Sequence, residues 1–152
     1  MEMTINDIIT KYNLLNVLKF EDDGYAVKRE LKVKLIRYKL NFAKVKDEYV
    51  AFQQQAMEEI QTDEYKTLAN KQDKTEEENI RFEKIIDDLN DELNRIANNK
   101  ANETIDMKSF EPLTEEEFNN ILEVNVNNSP DINGNKLDSN VYLELLYSNF
   151  VK

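Results

Sequence analysis

Cysteine, histidine and tryptophan are all missing from this 152-residue chain, and glycine and proline occur only twice each. Each absence removes a class of function. Without thiols or imidazoles there can be no disulfide, no thiolate or imidazole chemistry and no ordinary zinc site, so most familiar enzyme mechanisms lose their central group. No glycine-rich loop is present to cradle a phosphate, which leaves a nucleotide site unsupported. No apolar run approaches the roughly 18 residues of a membrane span. The opening Met1-Glu2-Met3-Thr4 lacks the basic-then-apolar design of a signal peptide. The expectation is a soluble, intracellular protein that is not an enzyme, with no catalytic residue, no cofactor, no metal, no small-molecule substrate and no membrane contact.

The residues that are present favour long, two-sided helices, because 40% are hydrophobic and 34% charged, enough for a core and too charged for a thick globule. Gly24, Pro112, Pro130 and Gly134 all lie outside the stretch from Tyr25 to about Leu68. Within that stretch Leu31, Leu35, Tyr38, Phe42, Val45, Tyr49, Phe52 and Ala56 recur at alternating steps of four and three. A 3.5-residue repeat places all of them on one stripe, predicting a single helix with a heptad seam, about 66 Å long at roughly 1.5 Å per residue. The aromatic members Tyr38, Phe42, Tyr49 and Phe52 are read as core.

The rest of the chain can be read as cover for this seam. Thr4 caps a short helix with a stripe of Ile5, Ile8, Ile9, Tyr12, Leu15 and Leu18, and Phe20 to Gly24 turns it back antiparallel against residues 26 to 39. Thr75 caps a third helix striped by Phe82, Ile86, Leu89, Leu93 and Ile96, folded back on the other half of the seam after a turn at Ala69 to Lys74. Ile80 and Ile85 fall off that stripe and are candidate partner-binding residues. The helix is expected to fray through Ala97 to Asn102. Further on, Thr104 to Met107 alternates like a strand, and Thr114 with Glu117 forms a capping box for a two-turn helix to Leu122. Alternation at Val124 to Asn127, with turn signals at Ser129-Pro130 and Asn133-Gly134, suggests a hairpin or a strand and loop, and Ser139 would cap a last helix with Val141, Tyr142, Leu145 and Leu146 on its apolar face. No internal repeat of 20 to 50 residues is visible. The predicted fold is mainly α: residues 1–100 a helical hairpin or bundle rod, and residues 101–152 a small α+β module packed on it.

Charge supplies the sharpest candidate site. Residues 28 to 46 hold Lys28, Arg29, Lys32, Lys34, Arg37, Lys39, Lys44 and Lys46 against the single acid Glu30, a segment of +7 in a chain of −11, so the remainder carries −18. Lys32, Lys39 and Lys46, spaced by seven, form a row beside the seam and are candidate partner-binding residues. Direct nucleic-acid binding is disfavoured, because the surrounding negative charge opposes a polyanion. The collar is expected to pair with acids of the C-terminal module (Glu111, Glu115, Glu116, Glu117, Glu123) or of a partner protein. Two metal readings are weaker than their plain alternatives. Asp131-Ile132-Asn133-Gly134-Asn135 has calcium-loop side chains, but its glycine is at loop position four and Tyr142 stands at position twelve, so it reads as a turn. Asp87, Asp88, Asp91 and Glu92 read as a hydrated helix face.

Tyr25-Ala26-Val27-Lys28-Arg29-Glu30-Leu31, opening the charged helix, and Phe118 to Val126 near the end resemble small helical proteins encoded by tailed phages. In those proteins a basic helix, an acidic helix and a C-terminal helix-then-strand segment occur in this order. The resemblance spans most of residues 5 to 128, and the Asn-rich tail from Ser129 has no counterpart. It implies a virion or virion-assembly component, of ring, connector or assembly-chaperone type, and transfers no catalytic residue. Its partners would be other phage structural proteins or copies of itself, in the host cytoplasm during assembly or in the virion. The alternative is a small acidic anti-defence or regulatory protein that binds a host nucleic-acid-binding protein by charge mimicry.

Overall fold

Thr4, Thr75 and Thr114 each accept a hydrogen bond from the amide three residues on, at 3.1, 3.2 and 3.1 Å, and so start the helices predicted for them. In the computed structural model, which describes all 152 residues, 66% of the chain is helical. The helices are α1 (Ile5–Asn16), α2 (Arg29–Ile60), α3 (Asp63–Asn70), α4 (Glu76–Ala101), α5 (Glu115–Asn125) and α6 (Ser139–Phe150). Three antiparallel two-stranded ribbons complete it: β1 (Glu2–Thr4) with β4 (Thr104–Asp106), β2 (Glu21–Asp22) with β3 (Tyr25–Ala26), and β5 (Asp131–Ile132) with β6 (Asn135–Lys136). None of the helices is long and apolar enough to cross a membrane.

The long helix is present and its seam is the buried side, with Leu31, Leu35, Tyr38, Phe42, Val45 and Ala56 all buried. Its ends differ from expectation. Tyr25 and Ala26 are drawn into the β2–β3 ribbon, and Thr62 accepts from the Tyr65 amide at 3.1 Å, a cap that separates α3 from α2. The last helix is capped by Asp138, not Ser139, through the Asn140 amide at 2.9 Å. Val124 and Val126 are not strand residues: α5 continues to Asn125, because Phe118, Ile121, Val124 and Asn125 share one buried helical face. Nor does α4 fray from Ala97 as expected, since it continues to Ala101 with Ala97 buried inside it.

The chain divides into two units, and the boundary expected at residue 100 is replaced by a different one. Residues 1–46 and 104–152 form the first unit, residues 47–103 the second, and α2 runs through both. The N-terminal strand accounts for the change, since β1 pairs with β4 in the register Glu2 to Asp106, Met3 to Ile105 and Thr4 to Thr104. In the second unit the C-terminal half of α2 packs on α4, where the Tyr49 hydroxyl donates to the Ala97 carbonyl at 3.1 Å. Beside it Leu68, Ile85 and Leu89 form a small core with Ile60, Tyr65 and Phe82.

The first unit contains one module twice. Thr114 follows Thr4 by 110 residues, and that interval recurs between the starts of α1 and α5, between the β2–β3 and β5–β6 ribbons, and between the starts of α2 and α6. The buried Ile8, Lys11, Leu14, Leu15 and Leu18 match the buried Phe118, Ile121, Val124, Asn125 and Asn128 at the same interval. Both ribbons turn through two left-handed residues, Asp23-Gly24 (φ 48° and 82°) and Asn133-Gly134 (φ 52° and 80°). Such a turn suits the twist of a tight hairpin and tolerates Asp, Asn or Gly.

Side-chain amides join the modules. The fully buried Asn125 accepts from the Lys19 amide at 3.0 Å and donates to the Lys19 carbonyl at 3.1 Å, reproducing a strand pairing. Asn128 donates to Val17 and to the Asn125 side chain, and Asn120 accepts from Lys28 and donates to Ala26. The buried Tyr142 hydroxyl donates to the Leu14 carbonyl at 2.7 Å, and burial pushes its ionisation well above the usual phenol range.

Two stability outcomes follow from this packing. Phe42→Ala is expected to cost about 3–5 kcal/mol in urea denaturation, the range for a fully buried aromatic. Asn125→Leu, close in volume, should cost about 2–4 kcal/mol by leaving backbone groups of Lys19 unpaired, and should speed hydrogen exchange at the Lys19 amide. The exposed Asn127→Ala serves as control, with a change within about 0.5 kcal/mol.

Candidate interaction surface

The cations of residues 28 to 46 fall on two sides of α2, and the structure separates them. Lys34 donates to both carboxylate oxygens of Glu117 at 3.2 and 3.1 Å, and Lys28 lies 4.0 Å from Glu116. The C-terminal acids therefore reach the collar at two of its eight cations. Arg29, Lys32, Arg37, Lys39, Lys44 and Lys46 have no ion-pair partner in the molecule.

The predicted row Lys32, Lys39 and Lys46 is mostly occupied by the protein's own rings. Lys46 lies 4.5 Å from the Tyr12 ring centroid and donates to Asn13 at 3.4 Å, and Lys32 lies 5.3 Å from that of Phe20. These cation–π contacts hold α1 and its following turn antiparallel along α2. Lys39 is half-buried.

The other side of α2 is open. Val33, Ile36 and Leu40 recur at steps of three and four and are all exposed, Leu40 by 66%. Arg29, Arg37 and Lys44 flank them, also exposed and unpaired. This second apolar register went unread in the sequence because the seam accounted for the helix. The signal was there in the same spacing, two residues out of phase with Leu31, Leu35 and Phe42.

A second surface lies on α5 and α6. Phe118, Leu122, Asn140, Leu143, Glu144 and Tyr147 line a shallow groove of about 510 Å³. Tyr147 packs edge-on against Phe118, centroids 5.1 Å apart, and its hydroxyl donates to Glu115, which raises the phenol's pKa. Val141 and Leu145 are exposed nearby, so α6 is apolar on more than its buried face. The surroundings are acidic: residues 111–152 hold eight carboxylate side chains and two lysines.

Ile80 is 63% exposed on α4, as its position off the stripe suggested. Ile85 is 7% exposed and belongs to the core with Leu68 and Leu89, correcting its assignment to partner-binding surface. The reason is α3, whose Leu68 and Tyr65 shift the covered face of α4 around to Ile85. Asp87, Asp88 and Asp91 are exposed, while Glu92 pairs with Arg95 at 2.6 Å. No three carboxylates come together closely enough to hold a metal ion. Asp131 to Asn135 is the ribbon and its turn.

No family model matches the chain, and no curated protein or solved structure matches it either.

Glu117 gives the Lys34 pair a pH signature. Burial alone would raise its carboxyl, but the Thr114 amide and the Lys34 ammonium outweigh burial and hold it below the usual range. A carboxyl depressed by folding stabilises fully above the ordinary glutamate value of about 4.3, and that contribution is lost as pH falls through the folded value. Thermal unfolding followed from pH 7 to 3 should show the wild type losing more stability below about pH 4.3 than Glu117→Gln, which starts lower at pH 7.

Proposed function

We propose that this protein is a tailed-phage virion or virion-assembly component that acts through protein–protein contacts, as a ring, connector or assembly-chaperone subunit with no catalytic step. The observation that carries the reading is the exposed Val33, Ile36 and Leu40 stripe with its unpaired cations. Three aliphatic side chains in line on a helix cost free energy in water unless something covers them, and such patches commonly mark interaction sites. The order of a basic helix and then an acidic helix, as in the small phage proteins that Tyr25 to Leu31 and Phe118 to Val126 resemble, supports the same reading, although the strand that follows the C-terminal helix in those proteins is absent here, where α5 runs to Asn125. A charge mimic of DNA would gain nothing from six cations without a carboxylate partner on one helix, so the anti-defence alternative ranks second.

The test is mass spectrometry of purified particles and of their assembly intermediates from the source of the sequence. The protein is expected in one or the other, bound to virion proteins. Absence from both, together with recovery on a host nucleic-acid-binding protein that high salt releases, would replace this reading by the acidic binder.

A further inference from the structure

We infer that the basic apolar stripe on α2 is the docking site for the acidic apolar groove on α5 and α6 of a second copy, so that copies join head to tail. This rests on the contact-driven function above and names its partner.

Both surfaces belong to the first unit and share no residue. Each is uncovered in the single chain. On α2 the apolar line Val33, Ile36 and Leu40 is bordered by Arg29, Arg37 and Lys44, none of which has an ion-pair partner, while Glu30 and Glu111 lie beside its Val33 end. On α5 and α6 the apolar Leu122, Leu143 and Tyr147 are bordered by Glu144 and, through Tyr147, by Glu115. Apolar surface on each side gives the two faces something to bury, and opposite charge at their rims sets the orientation. Neither face can pair with its own copy, since two α2 stripes would bring arginines together and two grooves would bring glutamates together. A self-contact that uses two different patches is heterologous, and it closes into a ring if the rotation between copies divides a full turn.

The apolar line also decides between a second copy and a nucleic acid. A phosphate backbone would satisfy Arg29, Arg37 and Lys44 but would leave Val33, Ile36 and Leu40 without a partner. The acidic groove satisfies both sets.

The experiment blocks each face separately at exposed positions. One variant carries Arg37→Glu and Leu40→Glu, the other Asn140→Lys and Glu144→Lys, and circular dichroism with thermal melting confirms that both are folded. Native mass spectrometry at low salt should find the wild type as multiples of its 18.0 kDa chain and each variant alone as a monomer. Mixed in equal amounts, the variants retain one intact face each of opposite kind, so they should associate into species that contain both chains, which neither forms alone. A wild type that stays monomeric at high concentration, single variants that still assemble, or a mixture that stays monomeric would each overturn the inference. So would binding of DNA or RNA by the wild type that Arg37→Glu with Leu40→Glu abolishes while its oligomeric state is unchanged. A monomeric wild type still recovered with virion proteins would end the self-contact and leave the proposed function standing.

Discussion

Leu31, Leu35, Tyr38 and Phe42 are buried along one side of α2, and the twelve residues of α1 are only part of what covers them. The missing cover is Phe110. Its ring lies 5.0 Å from Tyr38, 5.8 Å from Phe42 and 6.2 Å from Phe150, centroid to centroid, so one side chain joins the seam to the last helix. The backbone beside it is fixed to the same place, because the Tyr38 hydroxyl accepts from the Glu111 amide and donates to the Glu111 carbonyl, both at 3.1 Å. Leu113 then donates its amide to the Phe150 carbonyl at 2.6 Å. Burial of an apolar stripe is the driving force, and directional bonds choose which distant segment provides it. Lys11 completes the node. Its stem is buried and its ammonium lies 5.9 and 6.0 Å from the Phe110 and Phe150 centroids, with burial lowering its pKa and Asp7 acting against that.

What could be read in advance was periodic or local. The seam from Leu31 to Ala56, the threonine caps and the strand at Thr104 all depend on spacing within a few residues, and the mainly helical fold follows from them. Phe110 had no such signal, being a lone aromatic between Ser109 and Glu111 whose role depends on Tyr38 and Phe150 far along the chain. The division into units was hidden for the same reason, since nothing in Glu2-Met3-Thr4 announces a partner at Thr104 to Asp106. Ile85 shows how one unread element displaces a neighbour. Once Thr62 caps a separate α3, Leu68 arrives beside α4 and the core face rotates towards Ile85.

The repeated module was concealed by chemistry. Between residues 4–31 and 114–141 only the cap threonine and the hairpin glycine are the same residue, the two positions where backbone geometry restricts the choice. The buried positions in between keep their spacing and change their type. The amides Asn125 and Asn128 stand where the first copy has Leu15 and Leu18, and Ile121 stands where it has Lys11. A search for similar letters passes over such a pair, while burial finds it.

That change of type determines how the two modules meet. If both carried leucine at these positions, each would present an apolar helix face and the pair could slide, since apolar contact has no preferred register. If both carried asparagine, two sets of buried amides would need partners that the other helix could not supply. One of each resolves the conflict. Helix α1 lies against α6, where Tyr142 reaches the Leu14 carbonyl, and Asn125 and Asn128, at and just past the end of α5, bond to the backbone of Val17 and Lys19 just past the end of α1. The β2–β3 ribbon is held as a consequence, by Asn125 at its entrance and by Asn120 at Ala26 and Lys28, its exit. The β5–β6 ribbon has no counterpart to this grip, because Thr10 and Leu15, which occupy the matching places on α1, make no such backbone pairing. Asymmetry of side chains between two modules of the same element order thus ties them together in one register.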